Sequence, residues 1–282
     1  MTIDSTAVFS GMGLAILCAA MLFLAVRMHG IFSPYRISEG IAQANTAMAV
    51  SFTGYVLGMA AVMIGAMKGP TRGFWIDFWS VGGYSILGML LLNVAWWIND
   101  KIILRKFNNV KEVVLDKNAG TGAVEFGSYN ASGLIVAGAI HGEGGGVVSA
   151  LVFFTLGQGA LVMFTELYDR ITPYDLHGEI EKDNVAAGVA TGGAMTATGI
   201  ILMKGAGGDF VSWSVDLAQF GATVAICMVM LPAVRYLFQR AIVPGVDLSG
   251  LAHKERNLAA GLLEAALTIG LACVIYFAVD VM

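Results

Sequence analysis

Two carboxylates stand in runs of sequence that are otherwise apolar enough to cross a bilayer. Glu125 lies in AGTGAVEFGSYNASGLIVAGAI and Glu264 in AAGLLEAALTIGLACVIYFA. An ionised group in hydrocarbon costs at least about 2.5–3.5 kcal/mol on insertion scales, so such residues turn to a partner or a water-filled path. The two are 139 residues apart (264 − 125), and each has a hydroxyl four residues on, Tyr129 and Thr268. That spacing puts acid and hydroxyl on one helix face. Ser128, Asn130 and Ser132 make the first run the more polar one. The chemistry such a pair offers is proton or cation acceptance along a pathway. The competing reading is a protonated carboxyl that fixes helix packing, because removal from water favours the neutral acid.

The elements that carry these groups are transmembrane helices. Of 282 residues, 57% are hydrophobic and 13% charged, about half the charge of a soluble domain. Eight windows of about 20 apolar residues fall near 8–28, 46–67, 75–98, 119–140, 147–168, 185–205, 213–238 and 258–280. An all-α integral membrane protein of eight transmembrane helices follows, with no space for a sizeable soluble domain. Its start, MTIDSTAVFSG, lacks the positive segment of a cleavable leader.

The offset of 139 recurs without a gap. Asn45 matches Asn184, Gly54 matches Gly193, Asp77 matches Asp216, and Asn118 matches Asn257; Ser33-Pro34-Tyr35 answers Thr172-Pro173-Tyr174. Residues 1–139 and 140–282 therefore form two four-helix repeats. Four spans per half is an even number, so both halves enter the membrane in the same direction. The expected relation is a rotation of about 180° around the membrane normal, not an inverted repeat. Within each half, Asn45 and Asn118, then Asn184 and Asn257, open small-residue helices after polar loops. Each is placed to cap its helix by accepting from a free backbone N–H.

Thirteen of the sixteen Lys and Arg fall on the side of the 1–2, 3–4, 5–6 and 7–8 loops, Arg105 and Lys106 among them. That side is expected to face the cytoplasm, with both termini outside. Asp77 and Asp216 open the third and seventh spans on the outer side. There they complement a helix dipole or line an outer vestibule. Gly54-x3-Gly58 and Gly188-x3-Gly192 are close-packing faces, making the second and sixth spans inner helices or oligomer contacts.

The polar loop followed by Asn, in EGIAQANTAMAVSFTGYVLG and EIEKDNVAAGVATGGAMTATG, resembles the YjfL-type bacterial inner-membrane family, present as two tandem copies. The resemblance implies a multi-span protein of the bacterial inner (cytoplasmic) membrane. It also implies genomic company of phage-shock-like and glutathionylspermidine-synthase-like genes, hence possible envelope-stress membrane partners. It brings no reaction and no site residues.

Other chemistry is poorly supplied. Cys18, Cys227 and Cys273 sit in apolar runs and read as buried small hydrophobes. His141, His177 and His253 each precede a Glu by two residues, but no metal-binding spacing results. No catalytic order or cofactor fingerprint occurs, and no basic patch suits nucleic acid. Neither enzymatic activity nor a cofactor or metal is expected. The leading expectation is conduction or transport of a small ion or solute, with Glu125, Glu264, Tyr129 and Thr268 on the path. The rival is a non-transporting membrane scaffold linked to envelope stress. Membrane lipids and further copies of the chain are the expected partners.

Overall fold

The computed structural model describes residues 5–33, 35–103, 108–172, 174–242 and 244–278. Pro34, Pro173, Arg105 and Lys106 lie outside the described residues. Four units follow one another, each a long helix, a short one and a second long helix. They are α1 (Ser5–Phe32), α2 (Ile37–Ala42) and α3 (Thr46–Met67); then α4 (Phe74–Ile98), α5 (Asn109–Val114) and α6 (Ala119–Ala139). The second half holds α7 (Gly146–Ile171), α8 (Leu176–Glu181) and α9 (Val185–Ala206); then α10 (Trp213–Ile242), α11 (Leu248–Lys254) and α12 (Leu258–Ala278). A π turn, Asn99–Ile103, extends α4.

One device starts every second long helix. Asn45, Asn118 and Asn184 accept from the backbone N–H of Met48, Thr121 and Ala187 at 3.0, 2.9 and 3.2 Å. Asn257 accepts from Ala259 at 3.0 Å and Ala260 at 3.3 Å. Among the described residues, the non-glycine positions of positive φ are Ala44, Lys117, Asp183 and Arg256. Each immediately precedes a capping Asn. The chain thus makes the same left-handed step four times between short helix and span, at a conformation that non-glycine residues rarely adopt.

The four capped helices lie side by side in the order α3, α6, α9, α12 and run parallel. Glycines set the spacing. A Cβ on Gly122 would meet the backbone of Ala47, one on Gly188 that of Gly120, and one on Gly261 that of Ala186. Further along, Gly54 faces Phe126, Gly127 faces Gly192, and Gly193 faces Ala265. Without a hydrophobic drive between helices in lipid, such backbone approach is what holds them. The remaining long helices run the other way and cover the row.

Seven long helices are apolar enough to cross a membrane by composition, and α6 is not among them. Its polar residues and glycines lower its hydropathy, yet it has 21 residues, about 31 Å at 1.5 Å each. It matches α3 at one end through Gly122 on Ala47 and α9 at the other through Gly138 on Met203. Shielded by neighbours from lipid, α6 crosses beside them without needing an apolar surface.

The half-turn relation between repeats is not what the helices adopt. A two-fold axis that places α6 against α9 would also place α12 against α3. Instead α3 and α12 stand at opposite ends of the row. Leu57 and Ile64 of α3, and Leu262, Val274 and Phe277 of α12, are exposed. The operation carrying one half onto the other steps along the row. Cys273 likewise departs from the expected burial: it is exposed on α12, while Cys227 is buried and Cys18 intermediate.

Candidate functional site

Glu125 and Glu264 are both buried, each 2% exposed, and they are separated by α9. Their surroundings differ. The Ser51 hydroxyl of α3 donates to Glu125 Oε2 at 2.5 Å. Ser51 stands six residues after Asn45 and Glu125 seven after Asn118, so parallel helices started by the same cap bring them to one depth. Nearby lies Tyr35, whose phenol is held well above the ordinary tyrosine range by burial first and then by the Glu125 charge, so it remains neutral. His29 of α1 stacks on Tyr55 at 4.2 Å and meets the edge of Tyr129 at 5.9 Å. Among the described residues, the buried Nε2 of His29 and the hydroxyl of Tyr129 have no hydrogen-bond partner. Among the described residues no basic side chain pairs with Glu125.

Glu264 has what Glu125 lacks. The Arg235 guanidinium of α10 forms a short ion pair with Glu264 Oε1. The Tyr168 hydroxyl of α7 donates to the same oxygen at 3.3 Å, and the Arg235 guanidinium lies 4.5 Å from the Tyr168 ring centre. Tyr168 occupies the place of His29 (168 − 29 = 139), Arg235 that of Trp96 (235 − 96 = 139), and Ala190 that of Ser51 (190 − 51 = 139). Duplication kept the carboxylate and changed its company.

The i+4 hydroxyls do not reach the carboxylates. Thr268 donates to the backbone carbonyl of Glu264 at 2.7 Å, the usual local bond of a threonine within a helix, and Tyr129 makes no bond to Glu125. Asp77 Oδ1 accepts from the Arg72 backbone at 3.1 Å, and Asp216 Oδ2 from Ser212 at 2.8 Å. Both also line cavities at the end of the row away from the short helices, Asp77 one of about 360 Å³ beside Arg72 and Glu143, and Asp216 a smaller one. His253 Nδ1 lies 3.6 Å from Glu179. Among the described residues no group of three or more His, Cys, Asp or Glu could hold a metal.

Sequence spacing missed Ser51, His29, Tyr168 and Arg235. Ser51 was recoverable from the shared Asn register. Arg235, counted as a loop-flanking cation, sits on the only span interrupted by proline among the described residues, three residues past Pro232. Two cavities open on the side of the short helices, one lined by Tyr35 and the other by Arg235. A cavity of about 450 Å³ is lined by Ser33, Tyr35, Glu39 and Asn45. Another of about 1080 Å³ is lined by Thr172, Pro232, Arg235 and Ser249.

The profile of a family described as Domain of Unknown Function (DUF350) matches the chain twice, over residues 3–140 and 144–279. A "UPF0719 transmembrane protein" of Aquifex aeolicus (strain VF5) is 25% identical over 230 residues, covering 79% of this chain and 81% of that protein. No solved structure matches.

Proposed function

The chain belongs to the DUF350 family as two tandem copies, a multi-pass membrane protein, and from that premise we propose that it moves protons or small cations through Glu125. The observation that carries this reading is the unequal company of the two carboxylates. Glu264 is neutralised by Arg235 and held. Glu125 has hydroxyl neighbours and no described counter-charge. A buried carboxyl without a counter-charge bears a large desolvation cost unless it binds a proton or cation. Ser51 donates to it, and Tyr35, on which its charge acts, lines the cavity on the short-helix side, the neighbours that a proton relay would use.

Reconstituted into liposomes with a pH-sensitive dye inside, the wild type is expected to pass protons down an imposed gradient. Glu125→Gln, equal in size but unable to exchange a proton, is expected to fall to the level of protein-free vesicles. Ser51→Ala is expected to lower the flux at least about tenfold through loss of the relay. Glu264→Gln tests the second carboxylate separately. A folded wild type with no proton or monovalent-cation flux removes the transport reading and leaves the scaffold. The backbone-to-backbone packing of the row is the feature that favours that second reading.

The bacterial inner membrane is the proposed location, with the four short helices in the cytoplasm because most Lys and Arg lie there. In a cysteine-free background, an impermeant maleimide should label Gly69→Cys in intact cells and spare Gln43→Cys. The opposite pattern reverses the orientation.

A further inference from the structure

Each of α3, α6 and α9 passes two fixed contacts to the next unit. First, its Asn amide donates to a carbonyl near the end of the next short helix: Asn45 to Val113 at 2.9 Å, Asn118 to Ile180 at 2.7 Å, and Asn184 to Ala252 at 3.0 Å. Val113, Ile180 and Ala252 all stand five residues after the cap of their short helix. Second, the residues two and nine positions after each Asn meet those four and eight positions after the next. These are Ala47 on Gly122, Gly120 on Gly188 and Ala186 on Gly261, then Gly54 on Phe126, Gly127 on Gly192 and Gly193 on Ala265. Thirteen positions on, Gly58 and Ala131 face Gly133 and Gly199. Three successive interfaces therefore share one register.

Both ends of the row keep that register open. On α12 the donor-side positions are Ala259, Ala266 and Gly270, small and exposed, and a Cβ on Gly270 would meet nothing. On α3 the receiving positions are Ala49, Thr53 and Ala60, exposed or half-buried. The Asn257 amide has no partner among the described residues. Five residues after the cap of α2 stands Ile41, exposed, at the position of Val113, Ile180 and Ala252. Only 6% of the apolar window of α1 is buried, against 44% for its counterpart α4 and 50% for α7.

We propose that a second copy of this chain continues the row, its α3 packing parallel on α12 in the internal register while Asn257 donates to its Ile41 carbonyl. The contact is heterologous, so copies join head to tail into a ring or an open chain. It stands independently of proton movement. It would place α1 of the second copy over the new groove, as α4 lies over the groove between α3 and α6.

Disulfide trapping in native membranes tests it, in a background carrying Cys18→Ser, Cys227→Ala and Cys273→Ala. Ala49 and Ala259 would approach as Gly122 and Ala47 do, within disulfide reach. Ala49→Cys with Ala259→Cys in one chain should give a ladder of multimers on mild oxidation. Co-expressed single variants, differently tagged, should link only to one another. Self-linking of either single variant, or no link between folded variants, overturns the proposal. A second arm uses native mass spectrometry of the purified full chain. Gly270→Leu has space within one copy and none at the interface, so it should shift the oligomer to single chains. Gly159→Leu on α7, which also meets nothing, should leave the oligomer intact. An unchanged oligomer in Gly270→Leu, or a wild type that is monomeric in membranes, sinks the assignment.

Discussion

Arg235→Met is expected to destabilise the folded protein by about 3–5 kcal/mol, because it leaves the buried Glu264 without its counter-charge. The Arg235 side chain is 12% exposed and that of Glu264 2%, so water screens the pair little. Removing both members should recover most of the loss: Arg235→Met with Glu264→Leu exchanges an ion pair for apolar packing of similar volume, a change that is often neutral or stabilising. Glu125→Gln should cost less than about 1 kcal/mol, since an acceptor for Ser51 remains. Unfolding in mixed detergent micelles, followed by circular dichroism, supplies the comparison. Equal losses for Arg235→Met and Glu125→Gln would mean that the two carboxylates are in equivalent electrostatic positions, contrary to the geometry.

Gly127→Leu should prevent assembly of the row, and Gly127→Ala should cost about 1–3 kcal/mol. The added carbon would fall on the backbone of Gly192, where no rotamer change relieves it; overpacking penalties of that size follow when the main chain itself must move. Gly221→Ala on α10 is the control. Its Cβ would meet nothing, and the gain in helix propensity of up to about 1 kcal/mol makes it neutral or stabilising. The same unfolding measurement decides. A Gly127→Ala variant as stable as Gly221→Ala would show that α6 and α9 are not in backbone contact.

The spans were legible because a 20-residue apolar window is a long signal. Those ending at Met67 and Ile98 and those beginning at Thr46, Trp213 and Leu258 agree with the helices to within about a residue. The Asn caps were legible for a related reason: each stands where polar loop gives way to small residues, and each side chain satisfies a local backbone donor. The short helices α2, α5, α8 and α11 were not. Six or seven residues fall below any periodicity window, although Asp175 and Asp247 do cap α8 and α11 by accepting from Gly178 and Gly250. Parity of spans gave the direction of the repeats but could not give the axis, which depends on which glycine faces which backbone. The company of each carboxylate was hidden most deeply. Arg235 reaches Glu264 across 29 residues from an antiparallel helix, a relation that no spacing within either helix contains.

A row in which every unit packs chiefly on its neighbours behaves as a solenoid laid sideways in the bilayer. Its free energy is close to a sum over units and adjacent interfaces, so length is a variable that duplication can change without redesigning the fold. It also follows that the two ends are the least stable places and the middle the most. Glu125 and Glu264 are treated unequally by that gradient. The uncompensated acid lies on an inner rung clamped from both sides, whereas the acid on the terminal rung brings its own cation. Arg235 holds that acid from within its own copy, independently of any rung that follows.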